Sequence, residues 1–206
     1  MTDETKVCIS FIGSSRELPD YDVYCETLET YVKHIIKQQK GEGKDFVMFC
    51  GGRGRERSGM QAVFEVADRL AKQGLNVTLY SCCPKGGFPN EQIEATVIQG
   101  NLSIQTLEFD TFMNRQHATT SARSVYWGPS GPGTLYEGIE VFVSEQLGKR
   151  GIELLAPMSG PKTVYMYSDT VSASILHTLE SMKELGRCHN PFEECQLEVL
   201  SQVKSK

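Results

Sequence analysis

No apolar run in the 206-residue chain approaches the ~18 residues that a membrane span requires. The first residues, Met1-Thr2-Asp3-Glu4-Thr5-Lys6, carry no charged-then-apolar leader. These two absences set the expectation of a cytoplasmic protein with no membrane partner. An excess of basic charge is missing as well: 21 Lys and Arg stand against 26 Asp and Glu, a formal net charge of −5. A nucleic-acid coat needs a basic surface, so nucleic acid is not an expected partner. A local pocket for one phosphate stays open. No C-x-x-C pair occurs among the seven cysteines, Cys8, Cys25, Cys50, Cys82, Cys83, Cys188 and Cys195. Their odd number and irregular spacing fit reduced thiols. Cys188, His189 and Cys195 come nearest to a zinc set, but their spacing matches no common pattern. Neither a metal nor a cofactor is expected. Internal repeats, low-complexity tracts and linker-like segments are also absent.

What is present fits an ordinary globular domain, with 39% hydrophobic and 23% charged residues. A chain of this length can bury a core without disulfides or metals. Continuous apolar runs predict buried strands at Val7–Ile12, Phe46–Cys50, Asn76–Tyr80, Leu102–Leu107, Ser124–Trp127 and Thr163–Tyr167. Between them, apolar residues recur at helical spacing. Tyr24, Leu28, Tyr31, Val32, Ile35 and Ile36 mark one helix. Ala62, Val63, Val66, Ala67 and Leu70 mark a second, opened by Gly59. Residues 112–123 and 171–185 predict further helices, and 91–99 a short one. The stretch from Ser81 to Asn90, rich in Cys, Pro and Gly, reads as a loop. Alternation of strand and helix predicts an α/β fold: a Rossmann-like, doubly wound parallel sheet in a single domain over residues 1–186. Residues 187–206 read as a C-terminal tail that forms no separate domain.

Three strands end in glycine-containing loops that lead towards helices: Gly13-Ser14-Ser15, Gly51-Gly52 and Gly131-Pro132-Gly133-Thr134. In a doubly wound sheet such loops share the carboxyl edge, where ligands bind at the reversal of strand order. Helix N-termini there present free N–H groups and partial positive charge, and glycine lets the backbone approach a phosphate. Thr134 adds a hydroxyl. Glu137, one turn further, can face the same mouth. A carboxylate in that position suits cleavage of an N-glycosidic bond, whose transition state places positive charge on the sugar.

The segment Pro129-Ser130-Gly131-Pro132-Gly133-Thr134-Leu135-Tyr136-Glu137 resembles the P-G-G-x-G-T-x-x-E motif of the LONELY GUY family, long mislabelled as lysine decarboxylases. Phe11-Ile12-Gly13-Ser14-Ser15 is similar to that family's first-strand C-G-S-S loop. Cys50-Gly51-Gly52 through Gly59-Met60 is similar to its G-G-G-x-x-G-L-M-G segment. Met113-Asn114-Arg115-Gln116 lies where it has M-x-x-R-K, after a one-residue adjustment. The resemblance covers roughly residues 7–185. It implies a Rossmann nucleotide-binding domain that hydrolyses a nucleoside 5′-monophosphate, AMP or an N6-modified AMP, to free base and ribose 5-phosphate. It implies Arg115 and Glu137 as the essential pair and Met113 among the nucleotide-binding residues. Arg115 would supply a fixed cation for phosphate or leaving-group contacts. A homodimer is implied too, with Ile139, Phe142 and Val143 either at the two-fold contact or in the subunit's own core.

The chain departs from the motif at two positions: Ser130 replaces its second glycine and Gln116 replaces its lysine. These changes keep a second reading open, a nucleotide-binding sensor or carrier domain without turnover. A nucleoside deoxyribosyl or base transferase is a third. Arg53, Arg55 and Arg57 read either as a clamp over the ligand or as a solvated loop, with Glu56 able to pair with them. Asn114 and His117 could share the pocket or lie on the surface. Ser14 and Ser15 could cap a helix as well as bind phosphate. Tyr126, Trp127, Tyr165 and Tyr167 read as strand core.

Overall fold

The computed structural model describes residues 6–13, 15–39, 45–52, 54–86, 97–122, 124–128, 134, 136–138, 162–167, 177 and 195–200. Its centre is a sheet of eight strands: β1 (Lys6–Ile12), β2 (Asp45–Cys50), β3 (Val77–Pro84), β4 (Val97–Gln99), β5 (Leu102–Phe109), β6 (Ser124–Trp127), β7 (Lys162–Tyr167) and β8 (Cys195–Leu200). Their spatial order is β4-β5-β3-β2-β1-β6-β7-β8. Every pairing is parallel except β4 with β5, which is antiparallel. The fold is therefore α/β with a mostly parallel sheet, an arrangement consistent with a Rossmann-like fold. No helix among the described residues is long and apolar enough to cross a membrane.

Among the described residues three helices are complete: α1 (Tyr21–Gln38), α2 (Gly59–Lys72) and α3 (Phe112–Thr119). The alternation of side chains along a strand assigns each helix a face. Val7, Ile9 and Phe11 of β1, with Phe46, Met48 and Cys50 of β2, join one cluster with the buried stripes of α1 and α2. In α1 that stripe includes Cys25, Leu28, Val32 and Ile35, at intervals of three and four residues. Val47 and Phe49 point the other way and pack with Ala122, just beyond α3. Ser10 on that same side of β1 accepts the Ala122 N–H at 3.0 Å. Leu28 is 0% exposed, so truncating it to Ala would cost about 2–5 kcal/mol.

β1 is the point from which the chain winds in both directions. It pairs with β2 on one side and β6 on the other, with Ile12 opposite Trp127. The loops leaving β1 and β6 start side by side, and the Gly128 N–H donates to the Ile12 carbonyl at 2.8 Å. A crevice at such a reversal is where α/β sheets bind ligands.

Four expectations from the sequence are corrected. The third strand does not stop at Tyr80 but runs to Pro84, with Cys82 and Cys83 buried inside it. Its partner β5 is equally long, pairing up to Pro84 opposite Phe109. Proline is tolerated at that last position, where a missing N–H breaks the ladder least. Within the expected helix 91–99, Val97–Gln99 is a strand, because β5 offers it an antiparallel partner. The helix expected over 112–123 ends at Thr119. Within the tail, Cys195–Leu200 is a strand, paired in parallel along the whole of β7. The helix expected at 171–185 lies outside the described residues except His177.

Candidate functional site

α3 starts where Thr111 accepts the Asn114 N–H at 3.1 Å, an N-cap that fixes the first turn. The helix is inverted in polarity. Arg115, Gln116 and Thr119 are buried, whereas Phe112 and Met113 are 45% and 44% exposed. Its inward face meets the ends of β2 and β3. The ladder between these strands closes with Cys50 opposite Ser81. One residue beyond that rung, the Gly51 and Cys82 carbonyls both accept from the Arg115 guanidinium. Nη2 donates to Gly51 at 2.8 Å and Nε to Cys82 at 3.1 Å. Arg115 thus takes over where the strands part. Any Cβ at position 51 would overlap the guanidinium, which is why a glycine stands there.

The third nitrogen, Nη1, reaches Glu137 Oε1 at 2.5 Å. The side chains of the pair are 7% and 11% exposed. Glu137 comes from the helical turn that follows β6, which also carries Thr134, itself 4% exposed. That turn lies close to the sheet because residue 138 is glycine: a Cβ there would overlap the Trp127 indole. The Phe112 ring flanks the guanidinium at 5.6 Å.

The surroundings of the pair carry no competing charge from the thiols. Burial pushes the Cys50 thiol well above its ordinary range, against a smaller opposing effect of a backbone hydrogen bond of Gly52. Burial likewise pushes Cys82 up to about 12, although Arg115 pulls it down. Both stay protonated at neutral pH, so neither is a ready nucleophile. A short, charge-assisted pair in such a low-dielectric setting is strong and directional.

The structure thus brings Arg115, Glu137, Thr134, Gly51 and Gly52 to the carboxyl edge of the sheet. Gly13 is half-buried there, and the loops after β1 and β2 touch: Leu18 N–H donates to the Arg57 carbonyl at 2.9 Å. Ser15 is exposed, and Met113 sits at the surface, 4.0 Å from the Tyr136 hydroxyl. Ser14, Ser130, Gly131, Pro132, Gly133, Ile139, Phe142, Val143 and Arg53 lie outside the described residues, as do Cys188 and His189. Arg57 does not point to a ligand. Its guanidinium lies 3.3 Å from Asp22 and 5.1 Å from the Tyr21 ring centre. Arg55 and Asn114 are exposed, and His117 is partly buried. Tyr126 and Trp127 are core, at 1% and 0% exposure. The side chains of Tyr165 and Tyr167 are outside the description.

The Arg115 guanidinium is turned to the protein's own acceptors: Nε and Nη2 donate to backbone carbonyls and Nη1 to Glu137. The sequence had no way to mark the Gly51 and Cys82 carbonyls as acceptors, since every residue carries one. The position of Phe112 beside the guanidinium was not expected either. Among the described residues no cluster of metal-binding side chains occurs. No protein-family model matches the chain, and no curated protein matches it either.

Proposed function

We propose that the protein is a Rossmann-like, doubly wound domain that hydrolyses the N-glycosidic bond of a nucleoside 5′-monophosphate to free base and ribose 5-phosphate. The observation that carries this reading is the buried Arg115–Glu137 pair at the carboxyl edge, beside the winding reversal at β1. The phosphate docks on the amides of residues 131–134. Glu137, one turn along, faces the sugar and stabilises the positive charge that develops as the base leaves, or orients the attacking water. Arg115 is the positioning residue. Anchored to two strand ends, it holds the carboxylate in one orientation before the substrate arrives, which removes reorganisation from the reaction. The chemistry needs no metal or cofactor. The resemblance to the LONELY GUY family supports the same assignment, together with a cytoplasmic homodimer, for which light scattering after size-exclusion chromatography is the test.

The test of the activity is incubation with AMP and related monophosphates, followed by chromatography for free base. Release from at least one monophosphate, lost in Glu137→Gln, is expected. No release from any of them at high protein concentration rejects the hydrolase. A second reading, a binding domain without turnover, is favoured by the engagement of Arg115 on the protein's own carbonyls. Thermal stabilisation by a monophosphate with no product selects it. Transfer to an added second base selects the transferase.

A further inference from the structure

Arg57 is the only non-glycine residue with a positive φ among the described residues, at 54°. Glycine or asparagine takes that conformation at less cost, so the arginine side chain must offset the strain. Its surroundings show how. The guanidinium lies 5.1 Å from the centre of the Tyr21 ring and 3.3 Å from Asp22, and so reaches from the loop before α2 to the first turn of α1. Asp22 is 78% exposed, so water screens that ion pair and the ring contact carries more of the hold. The ring is an anchored platform: Tyr21 is buried, and its hydroxyl donates to Glu65 of α2 at 2.7 Å. The backbone contributes too. The Arg57 carbonyl accepts the Leu18 N–H at 2.9 Å, and Glu17 forms an antiparallel bridge with Ser58. Nearer the sheet the two loops meet with little room to spare. A Cβ on Gly54 would fall 2.7 Å from Ser58 Oγ and 3.4 Å from Ser15 Cα, and one on Gly13 would fall 3.2 Å from the Met60 sulfur.

From these contacts we infer that Arg57 is a latch: it closes the loop before α2 against the loop after β1, and thereby sets Gly13 and Ser15 as one wall of the phosphate mouth. The inference rests on the proposed monophosphate reading and makes Arg57 a positioning residue that does not touch the ligand. The first strand-to-helix loop of a doubly wound sheet is the one that approaches phosphate. Here it leaves β1 beside the loop that leaves β6, with the Gly128 N–H on the Ile12 carbonyl. A preset wall binds phosphate without first being ordered, whereas an open latch lowers the competent fraction and the affinity with it. The Arg115–Glu137 pair is anchored on the ends of β2 and β3 instead, so the latch governs binding and leaves the chemical step alone.

The experiment compares the wild type with Arg57→Asn and Arg57→Lys, by base release from AMP and by calorimetry with AMP and ribose 5-phosphate. Asparagine accepts a positive φ and removes the cation over Tyr21, whereas lysine keeps a cation there. Arg57→Asn is expected to raise KM for AMP about threefold or more at unchanged kcat, and to weaken ribose 5-phosphate by the same factor. Arg57→Lys is expected to recover about half of that loss or more. Hydrogen exchange at the Leu18 amide is expected to quicken in Arg57→Asn while the amides of β2 exchange as before. A residue that only held the fold together would lower Tm and spare these ratios. A fall in kcat at constant KM, an unchanged affinity for ribose 5-phosphate, or Leu18 exchange as slow as in the wild type overturns the inference and leaves the hydrolase reading intact. Binding of AMP without base release rejects the hydrolase alone, since the calorimetric ratios still read the latch. Failure of both AMP and ribose 5-phosphate to bind the wild type removes both.

Discussion

Arg115 is the support of three separate groups, and removing it measures what that support is worth. Arg115→Met deletes the cation facing Glu137 and the donors to Gly51 and Cys82 together. Breaking a buried ion pair from one side costs about 3–5 kcal/mol. Two carbonyls left short of a donor add about 1 kcal/mol each, at the lower end of the range. The total, about 5–7 kcal/mol, rivals the entire stability of a typical domain, about 5–15 kcal/mol. Glu137→Leu strands the guanidinium charge but leaves it two carbonyl anchors, so it is expected to cost less, about 3 kcal/mol. In the double variant no charge remains to be stranded. Its loss should fall short of the sum of the singles by at least about 2 kcal/mol, the signature of direct coupling. Urea unfolding followed by circular dichroism gives all three values, provided the m-value stays constant. If the single losses add to the double within about 0.5 kcal/mol, the two residues do not act as a pair and the site collapses as an argument.

Three further outcomes follow from the same geometry. Gly51→Ala forces a methyl into the guanidinium; it should destabilise by about 1–3 kcal/mol and abolish base release, read by urea unfolding and chromatography. Thr111→Ala removes the N-cap of α3; a loss of about 1 kcal/mol is expected, read by urea unfolding. Cys50 and Cys82 are held protonated by burial, so alkaline conditions act on the unfolded chain, where thiols ionise above the ordinary value of 9.0. Their contribution is complete below that pH and falls as pH rises towards the folded values. At pH 10 it should be smaller by about 1.4 kcal/mol per thiol than at pH 8. Urea midpoints at the two pH values check this, and an unchanged midpoint refutes it.

Much of the sheet could be read directly. β2 and β6 are uninterrupted apolar runs, buried on both faces, and such runs have few alternatives. β4 could not be read, because three residues carry no periodicity and become a strand only against β5. The end of β3 was hidden by Cys82-Cys83-Pro84, whose local turn signal lost to eight paired residues of β5. α3 explains the limit at the site. Amphipathic reasoning turns Phe112 and Met113 inward and Arg115 outward, and the protein does the reverse, because Arg115 finds acceptors brought from three remote segments. That Glu137 and Thr134 lie at the carboxyl edge was legible from their spacing behind the glycine loop. The burial of Gln116 was not, as nothing in its neighbours announces it.

The guanidinium of residue 115 joins partners 64, 33 and 22 positions away along the chain. Contacts between such distant segments form late in folding, since loop closure must come first. Two neighbouring strand ends and the turn behind β6 must all have arrived before the carboxylate has its support. A partly assembled molecule would therefore expose thiols and strand edges but hold no organised acid group, so competence and completion arrive in a single step.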